Sequence, residues 1–92
     1  MLKVEFTRQF KKDYKLALKR GCNPDALSEV ISLLMNEKTL PEKYRDHALE
    51  NSRKYKNMRE CHIRPDWLLI YKVYSDKLVL ELIRTGTHSD LF

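Results

Sequence analysis

Hydrophobic and polar positions along the chain follow two different periods. Residues 2 to 6 alternate in the manner of a short strand. Phe6, Phe10, Tyr14, Ala17 and Leu18 then recur at helical spacing, with Arg8, Lys11, Lys12, Lys15, Lys19 and Arg20 on the remaining faces. Thr7 is a suitable N-cap and Gly21 a suitable stop. Asn23 offers a fresh cap with Pro24 at the first helical position, and Leu27, Val30, Ile31, Leu34 and Met35 form a second apolar stripe. Two such stripes across a short joint predict an antiparallel helical hairpin packed on an apolar surface.

From Lys38 to Asn57 the chain is polar, contains Pro41 and shows no sustained period, which predicts a long functional or mobile loop. Three strand signals follow, at about Met58–Ile63, Trp67–Tyr74 and Leu78–Arg84, with Pro65 and Ser75-Asp76 in the connections. The middle one is almost wholly apolar, as a central strand should be. The order β-α-α-β-β-β implies an α+β domain in which the helical hairpin covers one face of a small antiparallel sheet. In the strand at 58–63, Met58, Glu60 and His62 share one face and Arg59, Cys61 and Ile63 the other. If Cys61 and Ile63 face the helices, the opposite face is free for chemistry.

Composition narrows the picture. Ninety-two residues make one domain over 1–92, and 42% hydrophobic content suffices for a packed core. The longest apolar run, Trp67 to Tyr71, is far too short to span a bilayer, and the N-terminus lacks the apolar core of a secretory signal. Cys22 and Cys61 have no metal-ligand spacing, which fits a reducing, cytoplasmic setting. Eighteen Lys and Arg against thirteen Asp and Glu leave a formal charge of +5, which favours nucleic acid or an acidic protein as partner.

The chemistry concentrates near the strand ends. His62 and Asp66 flank the first strand connection, Arg84 and His88 close the third strand, and His47 lies in the loop. Histidine can both give and take protons near neutrality. Cleaving RNA without a metal takes a base for the 2′-OH, a cation for the phosphoryl oxygens and an acid for the leaving 5′-oxygen, and these residue types suit all three tasks. Each also has a plainer reading: an exposed strand histidine (His62), a tail residue (His88), a turn-forming carboxylate (Asp66), an ion-pair partner of Glu81 or Glu60 (Arg84), a solvent-facing loop histidine (His47). A zinc site is disfavoured because the three histidines lack short paired spacing. A Ser–His–Asp hydrolase is disfavoured because no nucleophile-elbow glycines are present.

Three segments together carry a family resemblance. Asp46-His47-x-Leu49, Arg59-Glu60-x-His62-Ile63-x-Pro65-Asp66-Trp67 and Arg84-Thr85-Gly86-Thr87-His88-x-x-Leu91-Phe92 are similar to the YafQ branch of the RelE/ParE toxins. The resemblance spans nearly the whole chain. It implies a ribosome-dependent mRNA endoribonuclease that inhibits translation, works by 2′-OH attack and uses no metal or other cofactor. It also implies an acidic antitoxin encoded nearby, with a monomeric toxin inside a hetero-oligomeric complex. By the same resemblance His88 is the general acid and Arg84 the transition-state clamp. Asp66 is the base or orients a histidine, and His47 and His62 hold or deprotonate the nucleotide. Phe92 positions a base, while Arg59, Lys54 and Lys56 hold substrate. The stretch 50–58 departs from the family pattern: it is longer, with Asn51 and Tyr55 where a left-handed glycine and a tryptophan are common. The alternative function is a non-catalytic basic module, such as a ParE-like binder of gyrase.

Overall fold

The computed structural model describes all residues from Met1 to Phe92. Strand β1 (Lys3–Phe6) leads into α1 (Arg8–Lys19) and α2 (Pro24–Met35). A single 3-10 turn at Glu42–Tyr44 and a two-residue strand β2 (His47–Ala48) precede β3 (Arg59–Arg64), β4 (Trp67–Tyr74) and β5 (Val79–Gly86). A last helical turn, α3, covers His88–Leu91. No helix is long and apolar enough to cross a membrane.

The helices begin where local chemistry allows. The Thr7 hydroxyl accepts the Phe10 N–H at 2.9 Å, and the Asn23 side chain accepts the Asp25 N–H ahead of Pro24. At the end of α1, Gly21 takes φ +86°, and the Cys22 N–H returns to the Ala17 carbonyl. Phe10, Ala17, Leu27, Val30 and Leu34 then bury themselves against Cys61, Ile63, Leu69, Tyr71, Leu80 and Leu82 of the sheet. Burial pushes the Cys61 thiol up to about 12, so this cysteine is a packing residue rather than a nucleophile.

The sheet order is β1-β5-β4-β3-β2. Strands β2 to β5 are antiparallel, whereas β1 joins the β5 edge in parallel, with Lys3 to Phe6 against Val79 to Leu82, so the sheet is mixed. The alternation at residues 2–6 marks a strand but carries no information about its partner. The helical hairpin returns the chain so that β5, the last strand, lies beside the first.

The face opposite the helices is not bare. Tyr55, Leu68, Ile70 and Leu91 form a second small core there, with Leu49, Met58 and Ile83 packed around it. The 38–57 segment is therefore anchored: Leu40 and Tyr44 enter the main core and Tyr55 the second. Its left-handed residues are Arg45 (φ +47°) and Asn57 (φ +63°), not Asn51, and these two turns bracket β2 and the loop that follows it.

Candidate functional site

Strand register assembles the site. Residues directly opposite across strands point to the same face. His47 pairs with Glu60, Glu60 with Ile70, and Ile70 with Arg84, so one row crosses β2, β3, β4 and β5. The next row runs His62, Leu68, Gly86, and His88 follows two residues beyond. At about 4.8 Å per strand, His62 and Gly86 stand about 10 Å apart. A bulge where the β4–β5 register shifts at Ile70 and Tyr71 sets two residues of β5 against one and leaves Arg84 on this face.

On the β3 side, two histidines share one carboxylate. Glu60 is only 5% exposed, and its Oε1 lies 3.4 Å from His47 Nε2 and 3.5 Å from His62 Nε2. The other ring nitrogens face carbonyls: His47 Nδ1 is 2.7 Å from Arg45 O, and His62 Nδ1 is 3.4 Å from Pro65 O. Each ring thus turns both nitrogens toward oxygen, Nδ1 to a carbonyl and Nε2 to the Glu60 carboxylate. The two rings lie 6.4 Å apart between centroids. Both Nε2 atoms approach the one Glu60 oxygen, and no group of three or more His, Cys, Asp or Glu side chains has the arrangement of a metal site.

On the β5 side, Arg84 lies against α1. Strand β1 ends opposite Leu82, which leaves the rest of the β5 edge open to the helix, and Thr7 donates to Ile83 O there. Arg84 Nε and Nη2 each donate to the Asp13 carboxylate at 2.9 Å. That pairing holds the Arg84 guanidinium well above its usual value. His88 opens α3, whose cap is reciprocal: Thr87 accepts the Asp90 N–H, and Asp90 Oδ2 accepts the Thr87 N–H at 2.8 Å. The His88 ring sits 4.8 Å from the half-exposed Phe92 ring, which meets Tyr55 edge-on at 5.4 Å. Tyr55 in turn donates to Leu91 O at 2.7 Å, fixing α3 over the second core.

The remaining candidates fall in different places. Asp66 sits on the exposed β3–β4 turn, lines the cleft beside Arg84, and pairs with no histidine. Lys54 reaches Leu91 O at 3.5 Å and lies over the Tyr55 ring, next to Phe92, while Lys56 is exposed on the same loop. Arg59 is opposite Tyr71, on the helix side, where it forks onto Asp46 at 3.1 Å and 3.3 Å. The Tyr71 hydroxyl donates to the same Asp46 carboxylate. Arg59 is therefore not gathered with the histidines. Two residues outside the sequence-based set enter the site, Glu60 and Asp13. Asp13 had a signal: it lies between Phe10 and Ala17 in the buried stripe of α1, where a carboxylate demands a cationic partner.

Two carboxyls near the site depend on pH. Burial pushes the Asp13 carboxyl up, but hydrogen bonds from Arg84, Gln9 and the Thr85 N–H outweigh it, and the net displacement is downward. The Arg20 guanidinium and the Thr87 N–H hold Asp90 well below the usual carboxylate range. Such carboxyls bind fewer protons folded than unfolded. Their stabilisation is complete above the unfolded value near pH 4 and is lost as pH falls toward the folded one. Thermal unfolding midpoints measured against pH should accordingly fall below about pH 4, and Asp90→Asn should flatten part of that limb.

Known proteins share this arrangement of sequence and fold. The family described as bacterial toxin of type II toxin–antitoxin system, YafQ, matches residues 2–92. The mRNA interferase toxin YafQ of Escherichia coli strain B is 47% identical over 90 residues, covering 97% of this chain and 94% of that one. A metal-bound toxin from Helicobacter pylori superposes with TM-score 0.92 at 40% identity, covering 100% of both chains. YafQ in the E. coli DinJ–YafQ complex superposes with TM-score 0.87 at 44% identity, over 100% of this chain and 99% of that one. The chain belongs to the YafQ family of toxins of type II toxin–antitoxin systems.

Proposed function

We propose that this chain is an mRNA endoribonuclease that acts on ribosome-bound message and blocks translation. The observation that carries this reading is the row His47–Glu60–Ile70–Arg84 on one sheet face, with His88 two residues past the neighbouring row. In this reading Glu60 and His62 on one side and Arg84 with His88 on the other flank a span about 10 Å wide, the scale of a nucleotide and its phosphate. The names of its relatives support mRNA as the substrate.

The Glu60–His62 pair, steadied by His47, takes the proton of the 2′-OH. This pair precedes Asp66 as base because the Asp66 carboxylate lies at the exposed turn and touches no histidine. The 2′-oxygen forms a bond to phosphorus as the bond to the 5′-oxygen breaks, leaving a 2′,3′-cyclic phosphate. Arg84 offsets the charge on the phosphoryl oxygens, and His88 gives its proton to the departing 5′-oxygen. Phe92 stacks a base beside His88, Asp66 lines the Arg84 cleft, and Lys54 and Lys56 hold the backbone. The scheme routes no step through a metal, because the acid–base residues named account for every proton transfer. The ribosome supplies much of the orientation, worth up to several orders of magnitude in rate, which so small a site cannot supply alone. The E. coli complex of YafQ with DinJ supports a cognate antitoxin as the resting partner.

Purified chain added to programmed ribosomes should cut the message at discrete codons and spare the same RNA when it is free. Toxin treated with EDTA and dialysed before addition should cut at an unchanged rate. Recovery of activity only on adding back a transition metal would overturn the acid–base scheme, and equal cutting of free RNA would overturn the ribosome requirement.

A further inference from the structure

Helix α1 has a polar strip on the side facing the end of β5, and that strip is occupied by ion pairs to both ends of the proposed catalytic pair. Asp13 is 8% exposed and accepts four hydrogen bonds: Arg84 Nε and Nη2 at 2.9 Å each, the Thr85 N–H at 3.2 Å and Gln9 Nε2 at 3.0 Å. Its lone pairs are fully used, and the Arg84 fork is fixed in plane, with Nη1 left without a carboxylate partner. Two helical turns later, Arg20 donates Nη1 to Asp90 Oδ2 at 2.5 Å and Nη2 to Asp90 Oδ1 at 3.3 Å. Asp90 is the residue that closes the cap of α3, so the pair ties α1 to the turn that presents His88. Asp13, Arg20, Arg84 and Asp90 line one cleft of about 370 Å³.

Stability alone accounts poorly for this arrangement. The Arg20–Asp90 pair is partly exposed at both ends, and such pairs add little to folding. A buried carboxylate facing a fork of N–H groups is likewise no better for stability than apolar packing. What both pairs do is remove rotational freedom from side chains whose aim matters. We propose that α1 is the positioning element of the reaction: Asp13 holds Arg84 so that Nη1 faces the scissile phosphate, and Arg20 acts through Asp90 to hold His88 over it. This inference rests on the catalytic reading of Arg84 and His88 above, and its test separates the two.

The test measures single-turnover cleavage on programmed ribosomes, ribosome affinity and thermal unfolding for Arg84→Ala, Asp13→Asn and the double variant. In Asp13→Asn the amide turns a donor toward the guanidinium, and a displacement of about 1 Å is expected to lower the cleavage rate about 10²-fold with affinity unchanged. The double variant should be no slower than Arg84→Ala, because Asp13 acts only through Arg84. If Asp13→Asn does not fold, Arg20→Gln replaces it: its rate should fall without a matching loss of stability, Arg20→Lys should recover part of it, and the loss should vanish in a His88→Ala background. A folded Asp13→Asn or Arg20→Gln that cleaves at the wild-type rate, or losses that multiply in the double variants, would overturn the positioning role while leaving the catalytic one intact. Normal cleavage by Arg84→Ala and His88→Ala would overturn the catalytic reading and this one with it.

Discussion

His88→Ala is expected to lower mRNA cleavage on programmed ribosomes by about 10²–10⁴-fold, the range for loss of a general acid. Arg84→Ala is expected to lose about 10²–10³-fold through the charge it no longer offsets. The two differ in their effect on folding. The His88 side chain is exposed and its main contact is the Phe92 ring, so His88→Ala should unfold close to the wild-type temperature. Arg84 is 19% exposed and holds a carboxylate that is almost completely buried, so its removal strands a charge and should also lower stability. Arg84→Lys would keep the charge but lose the two-point fork onto Asp13, and should restore stability more than rate. Single-turnover rates, with ribosome affinity measured separately, distinguish a loss in the chemical step from a loss in binding. Full activity in both alanine variants would refute the proposed roles.

Gly86→Ala is the second change expected to have a large effect, although it adds one methyl group. Gly86 has φ +157°, and a Cβ built there falls 2.9 Å from Asp90 Oδ2. That oxygen accepts both the Thr87 N–H and the Arg20 guanidinium, so it cannot retreat without breaking the α3 cap and the tie to α1. The strained backbone costs about 1–3 kcal/mol. For a domain of this size each kcal/mol lowers the melting temperature by about 4–8 °C. Since the displaced turn carries His88, cleavage should fall by about 10²-fold even where the variant remains folded. A Gly86→Ala protein with wild-type melting and cleavage would show that the turn tolerates a side chain and that His88 does not depend on its geometry.

The sequence carried different parts of this structure with different clarity. Both helices were legible because their stripes and caps are local: Thr7, Gly21, Asn23 and Pro24 act within one turn of themselves. The three later strands were legible for the same reason, to within two residues at their ends. What a local pattern cannot report is the partner. The 2–6 alternation marks a strand but not its parallel place beside β5, and the apolar Leu68 and Ile70 mark a buried strand but not the cover that Tyr55 and Leu91 supply. The site divides in the same way. His62 and His88 stood out as residue types. Glu60 was visible on the correct face, yet its place between two histidines depends on β2, a strand of two residues with no pattern of its own. Asp13, in the buried stripe of α1, signals a cationic partner, but only the fold shows that the partner is Arg84, 71 residues later.

The most direct test of the account is a message carrying a single 2′-deoxynucleotide at a mapped cleavage position on the ribosome. The proposed chemistry requires that 2′-hydroxyl as nucleophile, so cutting at that position should disappear while cutting at unmodified codons continues and leaves 2′,3′-cyclic phosphate ends. Cleavage of the deoxy-substituted codon at the normal rate would contradict the account.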